Sequence, residues 1–81
     1  ARRQQYEPLA KEIRATEALI DRLRKRIDLI EDELADPALY EKDPSTATQL
    51  AKERSDLSNT LARHEDRWLT LSAEYEEGIA E

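Results

Sequence analysis

Through the first half of the chain, seam residues recur at intervals of three and four without a slip: Tyr6, Leu9, Ile13, Thr16, Ile20, Leu23, Ile27, Ile30 and Leu34. Only Thr16 among them is distinctly polar. A helix that keeps one narrow face against another helix needs this spacing, because a repeat of about 3.5 residues holds the seam in line when helices supercoil. Leu50, Arg54, Leu57, Leu61, His64, Trp68, Leu71 and Tyr75 obey the same rule. Two Asp-Pro pairs, Asp36-Pro37 and Asp43-Pro44, separate the two series. The pattern predicts an all-α chain, a two-helix antiparallel coiled-coil hairpin with a short helical turn at its tip.

The punctuation sets the expected boundaries. Helix one begins near Pro8, whose fixed φ suits a first helical turn, and runs to about residue 35. Proline disfavours the helical conformation at the residue before it and lacks the amide that would continue the ladder, so Asp36-Pro37 ends that helix. The same pair can start another, with Asp36 as N-cap. The tip, residues 36–44, is expected to hold a short turn with Leu39 and Tyr40 folded back onto it. Helix two follows from about residue 45 to 77, capped by Asp43 or Ser45 and stopped at Gly78.

Antiparallel pairing brings Leu34 to Ala47 and Leu50, Ile20 to Leu61, Ile13 to Trp68 and Tyr6 to Tyr75. Thr16 then falls beside His64, a polar layer that would fix the register. Arg54 is expected to lay its aliphatic stem on Ile27 and send its guanidinium to solvent.

At 81 residues the chain is one small unit that buries a seam rather than a deep core. Charged residues make up 40%, the balance of long exposed helices, and the periodic apolar positions argue against disorder. With no Cys, disulfides and thiolate chemistry are excluded. No apolar stretch approaches the ~20 residues of a membrane span. The start Ala1-Arg2-Arg3-Gln4-Gln5 lacks the apolar core of a signal peptide, so a cytoplasmic setting without membrane contact is expected. The absence of Met leads us to expect a piece of a longer protein.

The net charge of −6 conceals a division. Residues 1–26 hold eight Lys or Arg against four acids, and residues 27–81 hold five against fifteen. Lys11, Arg14, Arg22 and Lys25, with Ala18 between them, form one stripe along the outer face of helix one, about 21 Å long. Arg24 and Arg26 flank the seam beside it, and Arg2 and Arg3 extend the patch at the open end. These residues are the candidate nucleic-acid contacts, since Lys and Arg gain by neutralising phosphates and releasing counterions. A solvated face laced with i, i+4 pairs accounts for the same residues: Glu7 with Lys11, Asp21 with Lys25, Arg24 with Asp28.

Other chemistry finds no support in the residues. Trp68 could stack a base but sits on the seam, where packing is its natural role. His64, the single histidine, has no Cys or His partner for a metal. The acidic runs around Glu31 and Glu76 lack the alternating ligands and turn glycine of a calcium loop. No nucleophile and base are paired, and one glycine cannot build a phosphate-cradling loop, so no catalytic residue and no cofactor site are expected in this chain.

The stretch Leu34-Ala35-Asp36-Pro37-Ala38-Leu39-Tyr40-Glu41-Lys42-Asp43-Pro44, followed by a helix carrying Glu65-Asp66-Arg67-Trp68-Leu69, resembles the C-terminal coiled-coil extension of bacterial ABC-F ATPases of the Uup and YheS kind. The likeness extends over nearly the whole chain. It implies the detachable arm of a protein with two ATP-binding cassettes, which would bind ATP and magnesium elsewhere in the polypeptide. It also implies a DNA-binding or ribosome-contacting role, with ribosomal RNA as one target, in translation or DNA-associated processes. Asp36, Pro37, Leu39, Tyr40 and Trp68 carry the resemblance, and their implied roles are structural. Two features depart from such arms: the basic run Asp21-Arg22-Leu23-Arg24-Lys25-Arg26, where Ala and Glu are usual, and His64, where an acidic or small residue is expected.

Two other readings remain open. A protein-interaction or oligomerisation hairpin would use Leu19, Leu29 and Leu69, which lie outside the seam. The helical arm of an aminoacyl-tRNA synthetase has a similar shape, but the Asp-Pro tip fits it less well.

Overall fold

The computed structural model describes the backbone of residues 2–80 and the side chains of residues 4–80. Four helices follow in order: α1 (Arg2–Gln5), α2 (Glu7–Leu34), α3 (Pro37–Lys42) and α4 (Pro44–Ala80). The long helices α2 and α4 lie antiparallel and α3 closes their joined end, giving a rod of 61 × 14 × 14 Å. The chain is thus the expected helical hairpin, and no strand occurs among the described residues.

Side-chain caps punctuate the tip. The Asp36 carboxylate accepts the amide of Ala38 at 3.0 Å, and Pro37 opens α3 where its missing N–H is not needed. Asp43, rather than Ser45, caps α4: its carboxylate accepts the Thr46 amide at 3.1 Å and the Thr46 hydroxyl at 2.6 Å. These hydrogen bonds hold the Asp43 carboxyl below its ordinary pKa. Leu39 is half-buried against the tip, but Tyr40 is 52% exposed and does not fold back as expected. On a helix as short as α3, adjacent residues point in different directions, and only one of the two can face the hairpin.

The seam is densest near the tip. Ile30 is wholly buried, and Ile27, Ala47 and Leu50 are nearly so. At the open end Ala10, Thr16, Ile20 and Leu71 are buried, whereas Ile13, Trp68 and Tyr75 are half-buried. Thr16 does not meet His64 through a hydrogen bond. Its hydroxyl donates to the Glu12 carbonyl at 2.8 Å, one turn back on its own helix, which satisfies it without a partner across the seam.

Arg54 is exposed, in keeping with a guanidinium in solvent, and Glu53 beside it is half-buried and paired with Arg26. Two further expectations are corrected. Gly78 does not stop α4, which continues to Ala80. Gly78 is buried beneath the ring of Tyr6, and a Cβ there would lie 2.8 Å from the Tyr6 hydroxyl and still closer to ring carbons. Tyr6 therefore closes the open end on Gly78, one position set along the seam from its expected partner Tyr75. A glycine inside a helix costs about 1 kcal/mol relative to alanine, and here the missing side chain admits an aromatic ring.

Candidate nucleic-acid interface

Lys11, Arg14, Ala18, Arg22 and Lys25 are all exposed along α2, with Arg14 also at the edge of a cleft against α4. Their charges are not equally available. Arg14 is held by Glu7 at 2.9 Å and Lys25 by Asp21 at 3.0 Å, both on the same helix. The Asp21–Lys25 pair is as expected, whereas Glu7 reaches Arg14 two turns on in place of Lys11. Lys11 and Arg22 make no ion pair among the described residues. They stand eleven residues apart, about 16 Å along one face. The side chains of Arg2 and Arg3 lie outside the described residues.

Arg24 and Arg26 turn the other way, toward α4. Arg24 does not pair with Asp28; its guanidinium donates to Glu65 at 2.5 Å. Arg26 makes a two-pronged pair with Glu53 at 2.8 and 3.0 Å. The paired hydrogen bonds raise the Arg26 pKa and lower that of Glu53. Across the same side of the hairpin, Arg67 of α4 reaches Glu12 of α2 at 3.4 Å. Of the six candidate residues, two therefore fasten the hairpin, two are paired along the stripe, and two present unpaired charge.

These cross-helix pairs divide the hairpin into two flanks. Glu12, Leu19 and Arg26 recur every seven residues on one edge of α2, where Arg26 pairs with Glu53 and Glu12 with Arg67 of α4. The other edge carries Ala10, Glu17 and Arg24, facing Ser58, Glu65 and Ser72. Small side chains at Ala10 and Ser72 leave this second flank open, and two adjoining clefts of about 460 and 280 Å³ run along it, sharing Glu17 and Trp68. Neither cleft contains a nucleophile and base in contact. Among the described residues, no group of three or more His, Cys, Asp or Glu is placed to hold a metal ion. Among the described residues, no helix is long and apolar enough to cross a membrane.

Of this flank only Leu69 was anticipated as a docking residue; the clefts beside it were not. The signal was present as a small residue at a seam-flanking position of each helix, Ala10 on α2 and Ser72 on α4.

An elongated two-helix coiled coil with a capped helical tip is the class of fold these features define. The family model of the ABC transporter C-terminal domain matches residues 6–73, and the chain belongs to that family. The matched segment begins at Tyr6, the first residue of the seam, and takes in the tip and most of α4. Comparison with curated proteins and with solved structures returned no match.

Proposed function

We propose that the chain is the non-catalytic arm of an ABC-F type ATPase, and that the outer face of α2 binds the phosphate backbone of DNA or ribosomal RNA. Membership in the ABC transporter C-terminal domain family supports the link to ATP-binding cassettes. In this reading the cassettes of the same polypeptide bind ATP and magnesium in the cytoplasm, and their movement positions the arm during translation or on DNA. The Asp36-Pro37 tip with Leu39 and Tyr40, and Trp68 downstream, support the narrower ABC-F assignment through the resemblance described above.

The observation that carries the binding role is the pair of exposed cations without partners, Lys11 and Arg22, on a face where Arg14 and Lys25 add further positive charge. A phosphate strand laid along α2 would meet all four without disturbing the pairs that hold the hairpin. Such contacts neutralise phosphates but read no base edges, so binding is salt-sensitive and little affected by sequence. Arg24 and Arg26 contribute indirectly, by joining α2 to α4.

Fluorescence anisotropy with labelled duplex DNA and a ribosomal RNA fragment tests this, comparing the wild type with Lys11→Glu plus Arg22→Glu. Both substitutions are at exposed positions outside the seam, so helicity should be unchanged. A loss of affinity of at least tenfold is expected. Equal binding by the two proteins would remove the stripe from the account.

A further inference from the structure

The open flank has chemistry opposite to that of the stripe. Its clefts are floored by the apolar side chains of Ile13, Ile20, Trp68 and Leu69, and Leu69 is 59% exposed. The rim carries four carboxylates, Glu17, Asp21, Glu65 and Glu76. Lys25 neutralises Asp21 and Arg24 neutralises Glu65, while Arg14, at the edge, is turned to Glu7. Glu17 and Glu76 make no ion pair among the described residues. The charge left over beside an apolar floor is therefore negative.

We propose that this flank is the docking surface for an amphipathic helix of a partner protein, one whose apolar face is bordered by Lys or Arg. The length agrees: the cleft residues of α2 run from Ala10 to Arg24, about 21 Å, or four turns of a docked helix. A helix laid in the groove would cover Leu69 and Trp68, bring cations to Glu17 and Glu76, and complete a three-helix bundle from two helices that otherwise share only a seam. The Trp68 indole N–H, buried without a hydrogen-bond acceptor among the described residues, leaves this side chain free of any polar tether that would resist repacking around the newcomer. A second copy of the chain is a poorer occupant, since a symmetric contact would set one acidic rim against another.

Trp68 is the single tryptophan, so its emission reports the cleft directly. The full chain would be titrated with a synthetic helix of Lys and Leu whose leucines share one face. A scrambled peptide of the same composition and a peptide with Glu in place of Lys serve as references. We expect saturable binding of the first peptide with a blue shift of Trp68 emission, and at least tenfold weaker binding of the other two. Leu69→Asn should weaken binding at least tenfold, and Glu17→Gln with Glu76→Gln at least fivefold. Removing two carboxylates at the tip, Glu31→Gln with Asp32→Asn, should change it less than twofold.

Equal binding of the scrambled peptide, equal weakening by the tip variant, or an unresponsive Trp68 would overturn the proposal in favour of general charge attraction. A concentration-dependent dimer in sedimentation that the peptide does not dissociate would overturn it in favour of a second copy. Lys11→Glu with Arg22→Glu should leave peptide binding intact, so this proposal and the nucleic-acid reading fail separately.

Discussion

Along the flank of Glu12, Leu19 and Arg26, two ion pairs tie α2 to α4 and a half-buried leucine lies between them; along the flank of Ala10, Glu17 and Arg24, one ion pair crosses and the rest is cleft. The seam between the flanks is common to both, so the difference arises from the residues one position outside it. Long charged side chains on the closed flank pair across the hairpin at their ends. Alanine and serine on the open flank cannot reach across. A hairpin of this kind is held by its seam, and the flanks determine what each side offers a partner. Exposed ion pairs contribute little to stability individually. Their main consequence is to direct Arg24 and Arg26 inward and leave Lys11 and Arg22 as the outward-facing unpaired cations of α2.

The largest effect should come from the seam itself. Ile30→Ala removes the most deeply buried side chain and should cost about 3 kcal/mol in urea unfolding. By contrast, Leu69→Ala on the open flank should cost less than about 0.5 kcal/mol, because that side chain is already mostly in water. If the two substitutions cost the same, the division between seam and flank is wrong. Next in size is the tip, where Asp36→Ala deletes the α3 cap and should cost about 1 kcal/mol.

Acid should act on the closed flank and the α4 cap. The folded pKa of Glu53 lies below its ordinary value because Arg26 donates hydrogen bonds to the carboxylate, and that of Asp43 is lowered by Thr46. Each group then stabilises the fold at pH above the usual carboxylate range, and the contribution is lost as pH falls through the folded values. A Tm series from pH 7 down to pH 3 should decline in the wild type and decline less steeply in Glu53→Gln. A parallel fall in both proteins would remove Glu53 from the acid response.

At the open end two opposing effects should largely cancel. Gly78→Ala gains helix propensity of about 1 kcal/mol but drives the Tyr6 ring off α4, so the net change in stability should stay within about 1 kcal/mol. Tyr6 ring resonances should nonetheless move in an NMR spectrum. Unchanged Tyr6 resonances would mean that the ring does not rest on Gly78.

Much of this architecture was legible because periodicity and Asp-Pro pairs are local signals. An apolar series at alternating intervals has only one economical solution, and an Asp before a proline at the start of a helix both caps it and ends what precedes. The failures share a different origin. Gly78 looks like a stop until Tyr6 is placed over it from the other helix, and Arg24 looks paired to Asp28 until Glu65 arrives across the seam. Tyr40 failed for a related reason: which of two adjacent residues faces the hairpin depends on the angle at which α3 closes the tip. The stripe was readable as a set of positions, but the unpaired state of Lys11 and Arg22 was not, since it depends on which acids reach which bases in three dimensions.

The most direct test of the stripe is the salt dependence of duplex DNA binding, measured for the wild type and for Lys11→Gln with Arg22→Gln. If these two side chains each neutralise one phosphate, the slope of log affinity against log salt concentration should become shallower by about 1.8 in the double variant. An identical slope in the two proteins would contradict the assignment of the outer face of α2 as the contact surface.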